Sequence, residues 1–112
     1  MFIKIFQVIL DKDYKNTVFD SLVVARAKDI KAPRRSLYQK VFEGELPGYI
    51  RNLDLIFLTF NSVATIKKFI SQGYCGWPMS VSDVIEVVDS GNTDVPPGFY
   101  YVDSWGFPKV NF

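Results

Sequence analysis

Two carboxylates and two hydroxyls in the last third of the chain are the groups best suited to chemistry. Asp83 and Asp103 flank a segment rich in glycine and proline, and a hairpin there would let them hold a divalent ion or share acid and base roles. Ser80 and Ser82 support another interpretation, in which these short oxygens accept backbone N–H bonds and fix a tight turn. The turn is favoured, because the sequence places no third carboxylate nearby.

The chain contains no histidine. This absence removes the commonest general base and metal ligand, together with any Ser-His or Cys-His nucleophile pair. Cys75 is the only cysteine, so it can form no internal disulfide, and it has no base partner in the sequence. We therefore expect no catalytic residue, no metal site, no cofactor and no enzymatic activity.

Candidate partner-binding residues fall in two segments. Trp77 stands between Gly76 and Pro78 with Tyr74 nearby, and a tryptophan on such a loop can be exposed and anchor a partner. The other segment carries a local excess of positive charge, which could bind phosphates or an acidic protein face, although a solvated loop is the simpler interpretation. Its cations are Arg26, Lys28, Lys31, Arg34 and Arg35.

The first half of the chain predicts mostly strands. Phe2 to Leu10 is apolar on both sides, which is typical of a central strand. After a predicted turn at DKDYKN, Thr17 to Ala25 is rich in β-branched and apolar residues and is predicted to return antiparallel. Arg26 to Ser36 lacks a helical apolar stripe and predicts a solvated loop. Leu37 to Glu45 alternates, which favours a third strand over a short helix.

The second half predicts two helices followed by a hairpin. Asn52 can cap a helix over LDLIFLTF, and Ser62 can cap another that ends at Gly73. Val84 to Val88 and Phe99 to Val102 are β-rich runs separated by Gly, Asn and Pro. These two runs predict an antiparallel hairpin.

The C-terminal residues complete the expected fold. Gly106 is expected to take a positive φ between Trp105 and Phe107, whose rings would anchor this turn in the core. Lys109 to Phe112 predicts a short edge strand. The expected fold class is α+β, with a mostly antiparallel sheet of about five strands and two helices packed on one face.

Composition bounds the size and the location. The 112 residues are 48% hydrophobic, so residues 1–112 are expected to form a single domain around one core. MFIKIFQVIL is about half the length needed to cross a bilayer, and no signal peptide is recognisable. We therefore expect a cytoplasmic protein without membrane contact. The formal charge of +1 provides no overall attraction to nucleic acid, so electrostatic recognition would be local.

Four blocks of sequence, taken in order, resemble the YodL-like domain family: FEGEL, LDLIFLTFN, MSVSDVIEV and GFYYVDSWGF. The family pattern corresponds here to Glu43 to Leu46, Phe60 with Asn61, Met79 to Val84, and Tyr101 to Phe107. Within it we single out a set of residues that we call the signature residues. They are Ser80, Ser82, Asp83, Asp103, Gly106 and Phe107.

The chain departs from this family pattern at two places. Trp77 and Pro78 follow Gly76 where the family usually reads Gly-His-Ser or Gly-Arg-Ser. If the polar pair served a reaction or a polar ligand, this protein has lost that role; if the pair shaped a turn, Trp77 and Pro78 can substitute. Ser62 to Gly73 also looks more helical than the proline-containing segment of the family.

The resemblance implies a gene of phages, plasmids or conjugative elements, often in Gram-positive bacteria, where such domains occur alone or within larger polyvalent proteins proposed to counter host defences. It implies no biochemical activity. Our hypothesis is a non-enzymatic binding protein of a phage or mobile genetic element that inhibits a bacterial host-defence protein through protein–protein contacts.

Two other functions are open. One is a nucleic-acid-binding accessory module that uses the basic segment and exposed aromatic rings. The other is a metal-assisted hydrolase centred on Asp83 and Asp103. Short edge strands and exposed aromatic residues are also compatible with a homo-oligomer.

Overall fold

A computed structural model describes residues 1–9 and 18–112 of the chain. Within these ranges the protein forms three α-helices and a five-stranded sheet, with a 3-10 turn at Arg35–Leu37. The helices are α1 (Leu22–Lys28), α2 (Leu53–Phe60) and α3 (Val63–Ile70). The strands are β1 (Phe2–Val8), β2 (Tyr38–Glu45), β3 (Val84–Asp89), β4 (Gly98–Tyr101) and β5 (Lys109–Val110). The predicted turn at DKDYKN, together with Leu10 and Thr17, lies outside the described residues.

The sheet has the order β2-β1-β3-β4-β5, and each neighbouring pair is antiparallel. β1 pairs with β2 on one side and β3 on the other, which confirms it as an interior strand. The predicted third strand, the hairpin and the terminal edge strand are confirmed as β2, β3 with β4, and β5. The α+β class with an antiparallel five-stranded sheet is therefore confirmed.

Apolar residues pack on both faces of this sheet. Ile85 and Tyr100 belong to a large cluster that also contains Ile56 of α2 and Phe69 of α3. The adjacent residues Val84 and Tyr101 belong to a smaller cluster with Phe6 and Leu22 of α1. Since neighbouring strand residues point to opposite faces, α1 packs on one face and residues of α2 and α3 on the other. The expectation of two helices on one face is therefore incomplete, because it lacks α1.

α1 occupies a segment for which a strand was predicted over Thr17 to Ala25. Both sides of β1 are paired with β2 and β3, so no place beside β1 is open to another strand. Ser21 caps the helix through a 3.4 Å bond from the Val24 N–H to its Oγ. Leu22 and Ala25, one turn apart, are buried. The prediction was wrong because β propensity is weak compared with the available packing.

The predicted loop over Arg26 to Ser36 is likewise only partly correct. Arg26 to Lys28 form the last turn of α1, and Arg35 and Ser36 begin the 3-10 turn. Both predicted caps in the second half stand at helix N-termini, and Asn52 accepts a 2.8 Å bond from the Leu55 N–H. None of the helices in residues 1–9 and 18–112 is long and apolar enough to cross a bilayer.

Candidate interaction surface

The signature residue Asp83 lies at the end of the turn before β3 and is 1% exposed. Its Oδ2 accepts a 3.0 Å bond from Nε2 of Gln7 and a 3.1 Å bond from the Ser80 N–H. Burial raises the pKa of this carboxyl to about 7, against the lowering effect of the two donors. A carboxyl with a raised pKa in a polar cluster can mark a functional site, so its surroundings decide its role.

Gln7, the side-chain partner of Asp83, bonds in turn to the backbone of residue 77. The Gln7 amide donates to the carbonyl oxygen of Trp77 at 2.9 Å and accepts from the Trp77 N–H at 3.2 Å. The Tyr74 hydroxyl also donates to the Trp77 carbonyl. The network therefore holds the backbone at residue 77, whatever side chain stands there, which supports a turn-shaping role for Trp77 and Pro78.

A bulge in the sheet brings this loop into place. Ile5 pairs with Phe42 and Phe6 with Lys40, so Val41 is an additional residue in β2. The carbonyl of Val41 accepts the Cys75 N–H at 3.0 Å. A Cβ atom at Gly76 would lie 2.3 Å from Oε1 of Gln7, so the loop approaches Gln7 as closely as only glycine permits.

The other signature residues also bond to backbone. Ser82 has φ +90°, and its Oγ accepts the Phe19 N–H at 3.0 Å. Asp103 accepts from the N–H of Leu22 at 3.1 Å and from that of Ser104 at 2.8 Å. Ser80 Oγ is buried and has no hydrogen-bond partner among the residues that the structure describes. The contacts of Ser82 and Asp103 match the interpretation in which short side-chain oxygens accept backbone N–H bonds and fix turns.

The paired-carboxylate hypothesis finds little support in this arrangement. Asp83 and Asp103 have different hydrogen-bond partners, Gln7 and Ser80 for the first, backbone N–H groups for the second. In the part of the chain that the structure describes, no group of three His, Cys, Asp or Glu residues could hold a metal ion. Gln7 went unnoticed in the sequence analysis, although a polar residue within an apolar strand is a detectable signal.

The candidate aromatic residues occupy unexpected places. Tyr74 is buried, and its ring stacks on Phe60 with 5.4 Å between centroids, so it presents no surface to a partner. Trp77 is half-buried. Trp105, which was expected in the core, is 91% exposed, whereas Phe107 packs against the large cluster. The predicted positive φ of Gly106 is confirmed at 70°, and this turn directs Trp105 to solvent.

Three of the five cations in the basic segment have partners within the protein. Lys28 pairs with Asp20 at 2.8 Å, and Arg34 forms a two-point pair with Asp29. This pairing lowers the pKa of Asp29. Arg35 lies over the ring of Phe6 at 3.9 Å. These three side chains support the local fold, so the basic segment does not act as one continuous charged loop.

Arg26 and Lys31 instead face two adjoining grooves. A cavity of about 390 Å³ is lined by Arg26, Phe99 and Lys109, among others. A second cavity of about 430 Å³ is lined by Arg26, Ile30 and Lys31. Both include Asn111, and neither is lined by a carboxylate from the described part of the chain.

Aliphatic side chains border these cations. Ile30 is 85% exposed and Val23, three residues before Arg26 on α1, is 78% exposed. Residues three apart are neighbours on a helix surface. We call the following set the α1 surface: Val23, Arg26, Ile30 and Lys31. It combines exposed apolar area with two cations and is distinct from the signature residues.

The family model for the YodL-like domain matches residues 2–112 of this chain. The chain belongs to the YodL-like domain family. Within this YodL-like domain the signature residues Ser80 and Asp83 form the turn beside Gln7, and the α1 surface lies outside the signature residues. No curated protein and no solved structure matches the chain.

Proposed function

We propose that this YodL-like domain is a non-enzymatic binding protein of a phage or mobile genetic element, and that it inhibits a bacterial host-defence protein by direct contact through the α1 surface. The observation that carries the proposal is the exposure of Val23 and Ile30 beside Arg26 and Lys31. Apolar side chains that adjoin cations at a groove are typical of a recognition surface.

Energetics favour a partner for this surface. Complete burial of a Val or Ile side chain stabilises a complex by about 1.5–3 kcal/mol. Single exposed apolar residues are common, but here two of them accompany a groove in which an arginine can anchor a partner. Trp105 adds a second exposed anchor, since the bond between Leu22 and Asp103 holds its turn against the start of α1.

The use of the carboxylates supports binding over catalysis. Asp83 and Asp103 both bond to groups of the protein that define the loops around them. A general acid or base must instead reach a substrate proton. The raised pKa of Asp83 is accounted for by its burial in the folding network.

A phage-sensitivity assay with matched variants tests the proposal. A panel of bacterial strains, each carrying one defence system, would express the wild type, Ile30→Asp or Val63→Asp. Val63 is an exposed aliphatic residue on α3 and serves as the control. We expect the wild type and Val63→Asp to restore phage growth on one strain and Ile30→Asp to fail, because a buried charge in the interface is costly.

Folding must be compared in the same variants by thermal unfolding, with equal melting temperatures expected. If the wild type restores growth on no strain, or if Ile30→Asp remains as active as Val63→Asp, the proposal is wrong. Loss of the defence protein from pull-downs with Ile30→Asp alone would provide the physical counterpart of the growth result.

A nucleic-acid-binding module is the alternative, and the observation in its favour is that Arg26 lines two adjoining grooves, one with Lys31 and the other with Phe99. Such binding weakens steeply with salt concentration. An electrophoretic shift of single-stranded DNA or RNA that is abolished by Arg26→Ala but retained by Lys67→Ala on α3 would favour this alternative.

A further inference from the structure

A cavity of about 230 Å³ lies beside the turn that carries Trp105. The aromatic residues that line it are Phe57 of α2 and Phe107, whose ring centroids are 6.4 Å apart. The charged residues that line it are Asp54 and Asp103, and no lysine or arginine from the described part of the chain does so. The cavity therefore combines aromatic walls with negative charge, whereas the two grooves beside α1 are lined by cations.

The two carboxylates of this cavity form no ion pair with any described residue. Oδ1 of Asp103 accepts the N–H groups of Leu22 and Ser104, which fixes the carboxylate and leaves Oδ2 without a donor from the described residues. Asp54 is exposed in the first turn of α2, three residues before Phe57 and therefore beside it on the helix surface. Acceptor oxygens thus remain for a cation from outside the chain.

Trp105 stands next to the cavity, since both of its neighbours in the chain, Ser104 and Gly106, line it. Its side chain is 91% exposed. The turn is closed by a 3.3 Å bond from the Asp103 N–H to the Gly106 carbonyl, and the bond from the Leu22 N–H to Asp103 ties it to α1. A ring on a turn held in this way loses little conformational freedom when a partner covers it, and tryptophan is enriched at binding hot spots.

From this geometry we propose that the turn at Trp105 and the adjoining cavity are a docking site for an arginine side chain of a partner protein. The guanidinium enters the cavity and pairs with Asp54 and Asp103, and the partner residues that flank the arginine cover the Trp105 ring. This inference goes beyond the proposed function, because no residue of the α1 surface lines the cavity.

The lining of the cavity favours arginine over other cations. A calcium ion takes six to eight oxygen ligands, and no group of three His, Cys, Asp or Glu in the described residues could hold a metal. A lysine ammonium is strongly hydrated, whereas a guanidinium is weakly hydrated, stacks on aromatic rings and binds carboxylates through parallel N–H bonds. Nucleic acid is disfavoured, because its phosphates carry the same charge as Asp54 and Asp103.

An NMR titration of the isotope-labelled full chain with defined peptides tests this inference. The probe is a peptide of about five residues with a central arginine between two leucines, and its counterpart carries citrulline, which keeps the shape of arginine without its charge. We expect the arginine peptide to bind at least about fivefold tighter than the citrulline peptide. It should shift the indole N–H signal of Trp105 but not that of Trp77, which does not line the cavity.

Two variants that each remove one negative charge provide the control. Asp54→Asn changes the cavity, whereas Asp94→Asn changes an exposed carboxylate in the loop between β3 and β4 that does not line it. The first should weaken binding of the arginine peptide at least about fivefold, and the second should leave it within about twofold. Dispersed NMR spectra establish that both variants fold.

Trp105→Ala separates the ring from the charge. This variant removes contact area and no charge, so it should weaken the arginine and citrulline peptides by similar factors, while Asp54→Asn should weaken the arginine peptide alone. If Trp105→Ala binds both peptides as tightly as the wild type does, the exposed ring is no part of the site and the inference is wrong.

The inference is also overturned if the arginine and citrulline peptides bind equally, if a lysine peptide binds as tightly as the arginine peptide, or if Asp54→Asn and Asp94→Asn bind equally. Calcium or magnesium ions that shift the same signals at lower concentration than the peptide would identify a metal site instead. These outcomes are distinct from the phage assay, because Ile30→Asp alters the α1 surface and leaves this cavity intact.

Discussion

Gln7 and Asp83, which lie 76 positions apart in the chain, are joined by a 3.0 Å hydrogen bond between Nε2 and Oδ2. Both residues are fully or almost fully buried. Gln7 also bonds to the N–H and the carbonyl of Trp77. One side chain of β1 therefore connects the sheet to the loop before β3 and to the turn that contains the family signature.

Gln7→Ala should lower the free energy of unfolding by about 2–4 kcal/mol, because it leaves several buried polar groups without partners and opens a cavity. Urea denaturation measures the change. Gln39→Ala, at an exposed position of β2, is the matched control and should stay within about 0.5 kcal/mol of the wild type. Equal effects of the two substitutions would contradict the role of Gln7.

Asp83 should make stability fall as the pH rises through the neutral range. Burial raises the pKa of its carboxyl from the ordinary 3.8 to about 7 in the folded protein. Between about pH 4 and 7 the folded state therefore holds a proton that the unfolded state has lost. The contribution of Asp83 is complete below the unfolded pKa and declines by on the order of 1 kcal/mol per pH unit until the folded pKa is reached.

Asp83→Asn isolates this effect. Exposed carboxylates act in the opposite direction, since pairing with Arg34 and Lys40 lowers the pKa of Asp29 and Glu43. Asparagine keeps an acceptor for Gln7 and Ser80 but does not titrate. The stability of the variant relative to the wild type, from urea denaturation, should increase between pH 5 and pH 7. A constant difference across this range would show that Asp83 does not retain its proton on folding.

Gly76→Ala should destabilise the protein by about 1–3 kcal/mol, because the new methyl group would overlap Oε1 of Gln7 and Cβ of Val41. Gly48→Ala is the control, since no atom lies within 4 Å of a Cβ at that position. Thermal unfolding of both variants measures the difference. If both melt at the same temperature, the loop does not approach Gln7 as closely as described.

The two helix caps should respond differently to alanine. Asn52→Ala should cost about 1 kcal/mol, because its side chain accepts the Leu55 N–H. Ser62 makes no side-chain cap bond, so Ser62→Ala should change the free energy of unfolding by less than about 0.5 kcal/mol. Chemical denaturation of the two single variants checks this contrast, and a larger effect at Ser62 would reverse our assignment.

Trp105→Ala should leave stability within about 0.5 kcal/mol of the wild type, because the side chain is almost entirely exposed. Phe107→Ala, two residues later, should cost about 1–3 kcal/mol, because Phe107 packs against the large cluster and lies near the Phe57 ring. Guanidinium denaturation measures both values. A clear loss of stability in Trp105→Ala would contradict the exposed position of this ring and indicate that it packs in the core.

Patterns governed by neighbouring residues were predictable from the sequence. The helix after Asn52, the positive φ of Gly73 and Gly106, and the hairpin of β3 with β4 all follow from short-range rules. A cap binds an N–H three residues away, and glycine adopts left-handed angles without a steric penalty. The family membership was also readable, because the signature residues that make these turns are contiguous blocks.

Tertiary structure decided which segments became neighbours. The segment before Arg26 forms a helix because β2 and β3 occupy both sides of β1, and no local pattern reveals that sheet order. Tyr74, expected at a partner-binding surface, lies in the core, whereas Trp105, expected in the core, is exposed to solvent. Burial depends on contacts between residues far apart in the chain, so the residue type alone could not predict whether an aromatic ring is buried or exposed.

The candidate site divides in the same way. The sequence by itself determined that Arg26 and Lys31 belong to a basic segment, and that the chain has a signature turn at Ser80 to Asp83. Only the fold paired Lys28, Arg34 and Arg35 within the protein and brought Phe99 to the groove beside Arg26. The physical reason is that charges and apolar side chains act through distances in space, which the order of residues along the chain does not contain.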